Sequence, residues 1–304
     1  MGAPSYLALR GWWQLEAASA AARYLDALRS RQAPANTRKA YAADLRRFVA
    51  TSPSTLAAID PPAIRRFLEG PTEVSLATRR RRYATLCAFY RWLVQEGLLE
   101  SNPMVRVEPV VAVSRLPRPL AAPSVTRVLQ AIPARATRDR ALFTLLAETG
   151  MRVGEALGLH VGDVDLTLDD EQVRVLGKGQ RERTVLLTAA PESIRLLRRH
   201  LKVSALRSGA IFRGDPRYGG GTLPLAYTTA RRAWQQYCTA AGVQATIHQL
   251  RHSRASELVR AGVPLGTVRK LLGHRNIQST LLYVEVDPQT VKRDLLADQR
   301  SQRG

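Results

Sequence analysis

The sequence predicts a mainly α-helical protein in two domains, the second carrying one small antiparallel β-sheet. Three observations predict it. Apolar residues recur at helical spacing through most of the 304 residues. Residues 108–123 hold four prolines and follow neither period, so they read as an extended linker. Only between Asp163 and Leu187 does the apolar spacing shift to about two. The length suits two ordinary domains, and 45% hydrophobic content fills their cores.

The first domain, residues 1–107, reads as four helices. Residues 14–33 are rich in Ala, Leu and Arg. Asn36 or Thr37 is placed to cap a second helix, which carries Tyr41, Leu45 and Phe48 on one face. Arg38, Lys39, Arg46 and Arg47 lie on or beside the opposite face. Asp60-Pro61-Pro62 starts a short third helix, because proline suits a first turn. A long fourth helix runs from Ser75 to Glu96, with Tyr83, Leu86, Tyr90 and Leu93 in a row, and Gly97 and Asn102-Pro103 stop it. Four consecutive arginines, 79–82, crowd its start, and Arg81 and Arg82 are expected to point away from the apolar row. An Arg-rich helix face is ordinarily a solvated one. Four adjacent guanidinium groups repel one another, however, and an anion would relieve that. Lys39, Arg81 and Arg82 are therefore candidate DNA contacts.

The second domain is expected over residues 124–304. Ser124 and Thr137 open its first helices. A glycine turn and a short helix follow around Gly150–Leu159. Val173–Leu176 and Arg181–Leu187, joined across Gly177-Lys178-Gly179-Gln180, read as a hairpin. Helices are expected over 190–206 and 228–241, then across His248–Tyr283. The glycine-rich stretch 213–222 has no reading. The tail, 286–304, is helical in its middle.

Composition bounds the partners. The formal charge of +21 favours a polyanion, whose neutralised phosphates release counterions. Of 46 basic residues only five are lysine, so a lysine or histidine in a motif carries more information than an arginine. No run of apolar residues is long enough to span a bilayer, and no basic-then-apolar leader opens the chain. Cys87 and Cys238 sit among apolar neighbours and read as small core residues. A cytoplasmic protein with no membrane association is expected.

The chemistry concentrates near the C-terminus. His248, Arg251, His274 and Tyr283 follow one another at steps of 3, 23 and 9 residues. They supply donors, a cation and a phenolic nucleophile, the set needed to hold a phosphodiester and attack it. Arg152 and Arg251 can each fork onto two phosphate oxygens and favour the more charged transition state. Tyr283 is protonated near neutral pH and needs a cation or base beside it. His248 is the candidate proton acceptor, and His274 a donor to a phosphate oxygen. Lys178, at a hairpin turn, is the candidate acid for the leaving 5′ oxygen. Glu155 is expected to hold Arg152 or Lys178 in place. His252 reads as a packed or phosphate-side residue, and His160 and His200 receive no role. His248 and His252 stand at a spacing that suits zinc, but no Glu follows the first and no third ligand is apparent, so no metal is expected.

These motifs resemble the tyrosine recombinase (phage integrase) family. Thr149-Gly150-Met151-Arg152-Val153-Gly154-Glu155 resembles its first arginine box, and His248-Gln249-Leu250-Arg251-His252-Ser253 its His-x-x-Arg box. Gly177-Lys178-Gly179 is similar to its hairpin lysine. Leu271-Leu272-Gly273-His274 and Tyr283 are similar to its third donor and nucleophile. The early helices resemble its SAM-like, DNA-clamping core-binding domain, and the proportions are nearest to Xer-type members. Arg254, and the residues after Tyr283, depart from the common pattern. The resemblance implies an α+β catalytic domain that cleaves a specific double-stranded DNA site through a 3′-phosphotyrosine, without cofactor. It implies two rounds of strand exchange through a Holliday junction, in a homotetramer or with a second recombinase. The task would be dimer resolution, or integration and excision. The tail 286–304 would then join protomers. A type IB topoisomerase-like relaxase and a non-catalytic architectural DNA binder are the alternatives.

Overall fold

A computed structural model describes residues 15–72, 74–111, 118–177, 182–215, 221–273 and 278–285. The chain divides into two compact units, 1–114 and 115–304.

The first unit holds α1 (Ala17–Ser30), α2 (Ala35–Thr51), α3 (Pro61–Glu69) and α4 (Leu76–Gln95). Asp60 caps α3, accepting from the Ala63 N–H at 2.8 Å, and Ser75 caps α4. The start of α2 differs from expectation. Pro34 precedes it, and Asn36 and Thr37 lie inside its first turn. The core is aromatic: Tyr24, Phe48, Phe67, Phe89, Tyr90 and Trp92 pack between the helices.

Arg81 and Arg82 do not point away from this core. Arg82 is 7% exposed. Its guanidinium lies 4.9 Å from the Phe67 ring centroid, and its Nη1 donates to the Phe67 carbonyl at 2.8 Å. Arg81 pairs at 3.0 Å with the fully buried Asp44, whose other oxygen accepts from Thr85 Oγ1. The physical reason is position. Residue 82 stands four and seven places before Leu86 and Phe89, on the buried stripe, and Asp44 needs a cation. Lys39, by contrast, is exposed on α2.

The second unit contains α5 (Ala122–Gln130), α6 (Thr137–Thr149) and the short α7 (Val153–Leu157). Strands β1 (Val164–Asp165), β2 (Gln172–Leu176) and β3 (Glu182–Leu186) follow, then α8 (Pro191–Val203) and α9 (Tyr227–Ala240). The chain continues into α10 (Ile247–Arg260), α11 (Leu265–Leu272) and α12 (Gln278–Glu285). The sheet is antiparallel in the order β1-β2-β3, with Val173 opposite Val185 and Leu176 opposite Glu182. Ser124 does not cap α5: Ala121 precedes the helix, and Pro123 occupies its first turn.

Helix α6 is buried almost all round, packed against α8 and α10. Phe143, Trp234 and Phe212 anchor the main core. A separate small cluster joins the last three helices: Ala255, Leu258 and Val259 of α10, Val268 and Leu272 of α11, and Tyr283 of α12. The segment 118–120 lies along α10. Gln249 Nε2 donates to the Arg118 carbonyl at 3.0 Å, and the Leu120 N–H donates to Ser253 Oγ at 2.8 Å. The downstream end of the expected linker is thus fastened to a helix of the second unit. His200 is a structural residue, held between Thr137 Oγ1 and the Ile211 carbonyl.

Candidate active site

Two left-handed glycines make the framework. Gly150 ends α6 at φ 65°, and Gly273 ends α11 at φ 67°. A Cβ on Gly150 would meet Leu272 Cδ2 at 2.6 Å, so the end of α6 and the end of α11 touch. Their carbonyls anchor the two arginines of the motifs. Arg251 Nη1 donates to the Gly150 oxygen at 2.8 Å, and Arg152 Nη2 to the Gly273 oxygen at 3.0 Å. Residues 101 positions apart in sequence are brought together by these crossed bonds.

The two guanidinium groups differ in setting. The Arg152 side chain is 40% exposed, while Arg251 is only 5% exposed. Burial and then the Arg152 charge push Arg251 down to about 10, which leaves it cationic at neutral pH. Among the described residues, its Nη2 is buried with no hydrogen-bond partner. A buried donor without an acceptor is costly, and an anion beside it would remove that cost.

Glu155 organises the arginines. Its Oε2 accepts from the Arg152 backbone N–H at 2.8 Å and its Oε1 from Arg152 Nη1 at 2.9 Å. Arg183 of β3 completes the cluster. Its Nη2 reaches Glu155 Oε2 at 2.9 Å and its Nη1 reaches the Leu271 carbonyl at 3.0 Å. Burial raises the Glu155 carboxyl. The Arg152 backbone bond, the Arg183 charge and the Arg152 side chain outweigh it and hold the group below the usual range. Arg183 also lies directly under Gly273, where a Cβ would meet its Nε at 2.6 Å. One carboxylate thereby fixes two arginines, and both donate to the last turn of α11. That turn leads into His274, which lies outside the described residues, as do Lys178 and the tail 286–304.

Arg183 escaped the sequence reading. A signal was present: it alternates with Val185 and Leu187, so it occupies the inward face of its strand. A charged residue there needs a buried partner.

The nucleophile candidate is buried. Tyr283 is 3% exposed, its ring set in the small cluster of α10, α11 and α12 of the same chain. Its hydroxyl lies 2.7 Å from His252 Nδ1. Burial raises the phenol's pKa, partly offset by the Arg251 charge. Burial, then His248 and Arg251, press His252 down to about 4, so its imidazole is neutral at neutral pH. His248 opens α10 with an exposed side chain, its ring edge-on to His252 at 4.6 Å. Surrounding protein atoms, then Arg251 and Arg152, hold it below the usual histidine range. The phenol's hydrogen bond therefore runs to the histidine that the sequence reads as a packed or phosphate-side residue. Position contained the clue: His252 precedes Ala255 and Val259 by three and seven residues, on the face that meets Tyr283.

Comparison with known proteins places this arrangement. The phage integrase family profile matches residues 119–290, and its N-terminal SAM-like domain matches residues 21–97. Tyrosine recombinase XerC of Rhodospirillum centenum is 33% identical over 280 residues, 84% of this chain and 79% of that protein. Tyrosine recombinase XerD of Chlorobaculum tepidum is 30% identical over 279 residues, 84% of this chain and 88% of that protein. Among solved structures, a lambda integrase dimer bound to a COC′ core site matches with TM-score 0.71 at 20% identity, over 93% of this chain and 81% of that one. XerH site-specific recombinase bound to palindromic difH substrate matches with TM-score 0.70 at 23% identity, over 87% and 80%. The fold, a SAM-like helical domain followed by a helical catalytic domain with a small sheet, is thus shared, and the chain belongs to the phage integrase family of tyrosine recombinases.

Proposed function

We propose that this recombinase cleaves and rejoins double-stranded DNA at a specific site through a 3′-phosphotyrosine on Tyr283. The observation that carries the reading is the crossed pair of arginines beside that phenol, one with a buried guanidinium nitrogen that has no acceptor among the described residues. Arg152 and Arg251 grip the non-bridging oxygens and stabilise charge as the fifth bond to phosphorus forms. His274 donates to the same oxygens, and we assign His248, the proton acceptor expected from sequence, to them as well, because the phenol's hydrogen bond runs to His252. Lys178 protonates the departing 5′ oxygen. The phosphotyrosine conserves the energy of the broken bond, so a second 5′-hydroxyl can displace the tyrosine without ATP or metal.

Double-stranded DNA as partner is supported by the charge of +21 and by solved relatives described as DNA complexes, one of them a lambda integrase tetramer bound to a Holliday junction. On this reading four subunits exchange strands in two rounds through such a junction, as a homotetramer or with a second recombinase. Dimer resolution and integration or excision are both served by that chemistry. Residues 1–107 clamp the duplex, with Lys39 at the phosphates, and 124–304 perform catalysis in the cytoplasm.

The test uses a nicked DNA site that loses a short fragment on cleavage. Wild type should form a denaturation-resistant protein–DNA adduct and Tyr283→Phe none. An adduct formed by the Phe variant would assign the nucleophile elsewhere.

A further inference from the structure

His252 stands out because the recombination chemistry above leaves it unused. It lies between His248 and the phenol, within 2.7 Å of the phenolic oxygen. Its ring meets His248 at 4.6 Å on one side and the Tyr283 ring at 5.7 Å on the other. The hydroxyl it touches is the atom that forms the new bond. We propose that His252 is a catalytic residue, the hydrogen-bond acceptor that aims the Tyr283 hydroxyl and takes its proton as the oxygen attacks phosphorus. This rests on Tyr283 being the nucleophile.

The tautomer follows from the surroundings. Burial, then His248 and Arg251, keep the imidazole neutral, and burial keeps the phenol protonated. The neutral pair has one arrangement that uses this contact for an attack: the phenol donates and Nδ1 accepts, with the ring proton on Nε2. The O–H then points at the histidine, and the oxygen that carries it is the atom that attacks phosphorus. A free imidazole this resistant to charging is a weak base. A phosphate drawn in by Arg152 and Arg251 adds negative charge beside it, which raises its proton affinity at the moment of reaction.

The step balances. The bond between Tyr283 Oη and phosphorus forms as the bond from phosphorus to the 5′ oxygen breaks. The phenolic proton passes to His252 Nδ1, and the 5′ oxygen receives a proton from the separate acid. In religation the incoming 5′-hydroxyl gives up its proton to that acid, and His252 returns its own to the tyrosine. His248 is thereby freed to donate to the phosphate.

The experiment measures adduct formation on the nicked site, with DNA affinity determined separately. His252→Asn keeps an acceptor oxygen near the Nδ1 position but cannot take up a proton. It should bind DNA like wild type and form the adduct about 10²-fold more slowly or worse. His252→Phe should be slower still, lacking the acceptor as well. A second substrate replaces the bridging 5′ oxygen with sulfur, whose thiolate leaves without a proton. The deficit of His252→Asn should persist on it, whereas a variant lacking the leaving-group acid should recover. Wild-type cleavage by His252→Asn, or its recovery on the sulfur substrate, would overturn the proposal. An adduct in Tyr283→Phe would instead overturn the assignment of the nucleophile, so the two failures are distinct. A readout independent of the folding of any His252 variant is nitrogen NMR of the wild-type histidines at neutral pH. His252 should show an unprotonated Nδ1 that shifts in Tyr283→Phe, and a protonated Nδ1 would sink the idea.

Discussion

Arg183 marks the difference between a motif residue and a residue that makes the motif work. Its fork spans Glu155 and the Leu271 carbonyl, so it joins β3 and the carboxylate that holds Arg152 to the turn that precedes His274. Arg183→Ala would leave Glu155, 4% exposed, with Arg152 alone. We expect a loss of about 3 kcal/mol in urea unfolding, the usual cost of breaking a buried pair. Adduct formation should fall as well, because Arg152 then shares its carboxylate with no counterweight. Arg183→Lys should recover little of either, since an ammonium group cannot serve both acceptors in a planar fork. Full activity and stability in Arg183→Lys would show that only the charge matters. The residue was hidden in the sequence because it is one of 41 arginines, and identity alone says nothing in so basic a chain. Arg152 and Arg251 were legible only through their glycine and histidine neighbours. His252 was legible as a position, but its contact with the Tyr283 hydroxyl was not, because that contact depends on what another helix brings to it.

At the scale of elements, the helices were readable wherever their stripe was buried on one side, as in α3, α4 and α10. Helix starts were read less well. Asn36 and Ser124 are good capping residues that the chain does not use as caps, because Pro34 and Pro123 already fix the backbone where the helices begin. The junction of α6 with α11 could not be read at all, since it depends on contact across more than a hundred residues. It yields a sharp expectation. Gly150→Ala combines left-handed strain with a collision against Leu272, and should cost about 2–4 kcal/mol. Leu272→Ala should cost about 2–5 kcal/mol by leaving a cavity in a fully buried site. The double variant should lose less than the sum, because the smaller residue removes the collision. Strict additivity in urea unfolding would mean that the two helix ends do not bear on each other.

For the whole molecule, charge and its location must be kept apart. The net charge of +21 describes an affinity for polyanions, but not every cation is available to one. Arg82 is spent inside the first unit, Arg81 pairs with Asp44 while its side chain stays 39% exposed, and Lys39 is exposed. Lys39→Ala should therefore lower DNA affinity, reduce the salt dependence by about one phosphate contact, and leave the melting temperature unchanged. Arg82→Ala should do the reverse, lowering the melting temperature through lost packing and an unpaired carbonyl, with an unaltered salt slope. Melting curves and binding isotherms at several salt concentrations separate the two. A lowered slope in Arg82→Ala with intact stability would restore it as a DNA contact.

Residues 118–120 are fastened to α10, so an insertion acts differently on the two sides of Arg118. Gln249 and Ser253, which hold them, alternate along one helix with His248, Arg251 and His252. Chain added before Arg118 leaves both of these bonds as they are. Chain added between Arg118 and Leu120 shifts the anchor itself, and with it the spacing of two bonds on the helix that carries His248 and Arg251. The same number of inserted residues thus spares that helix on one side of Arg118 and strains it on the other.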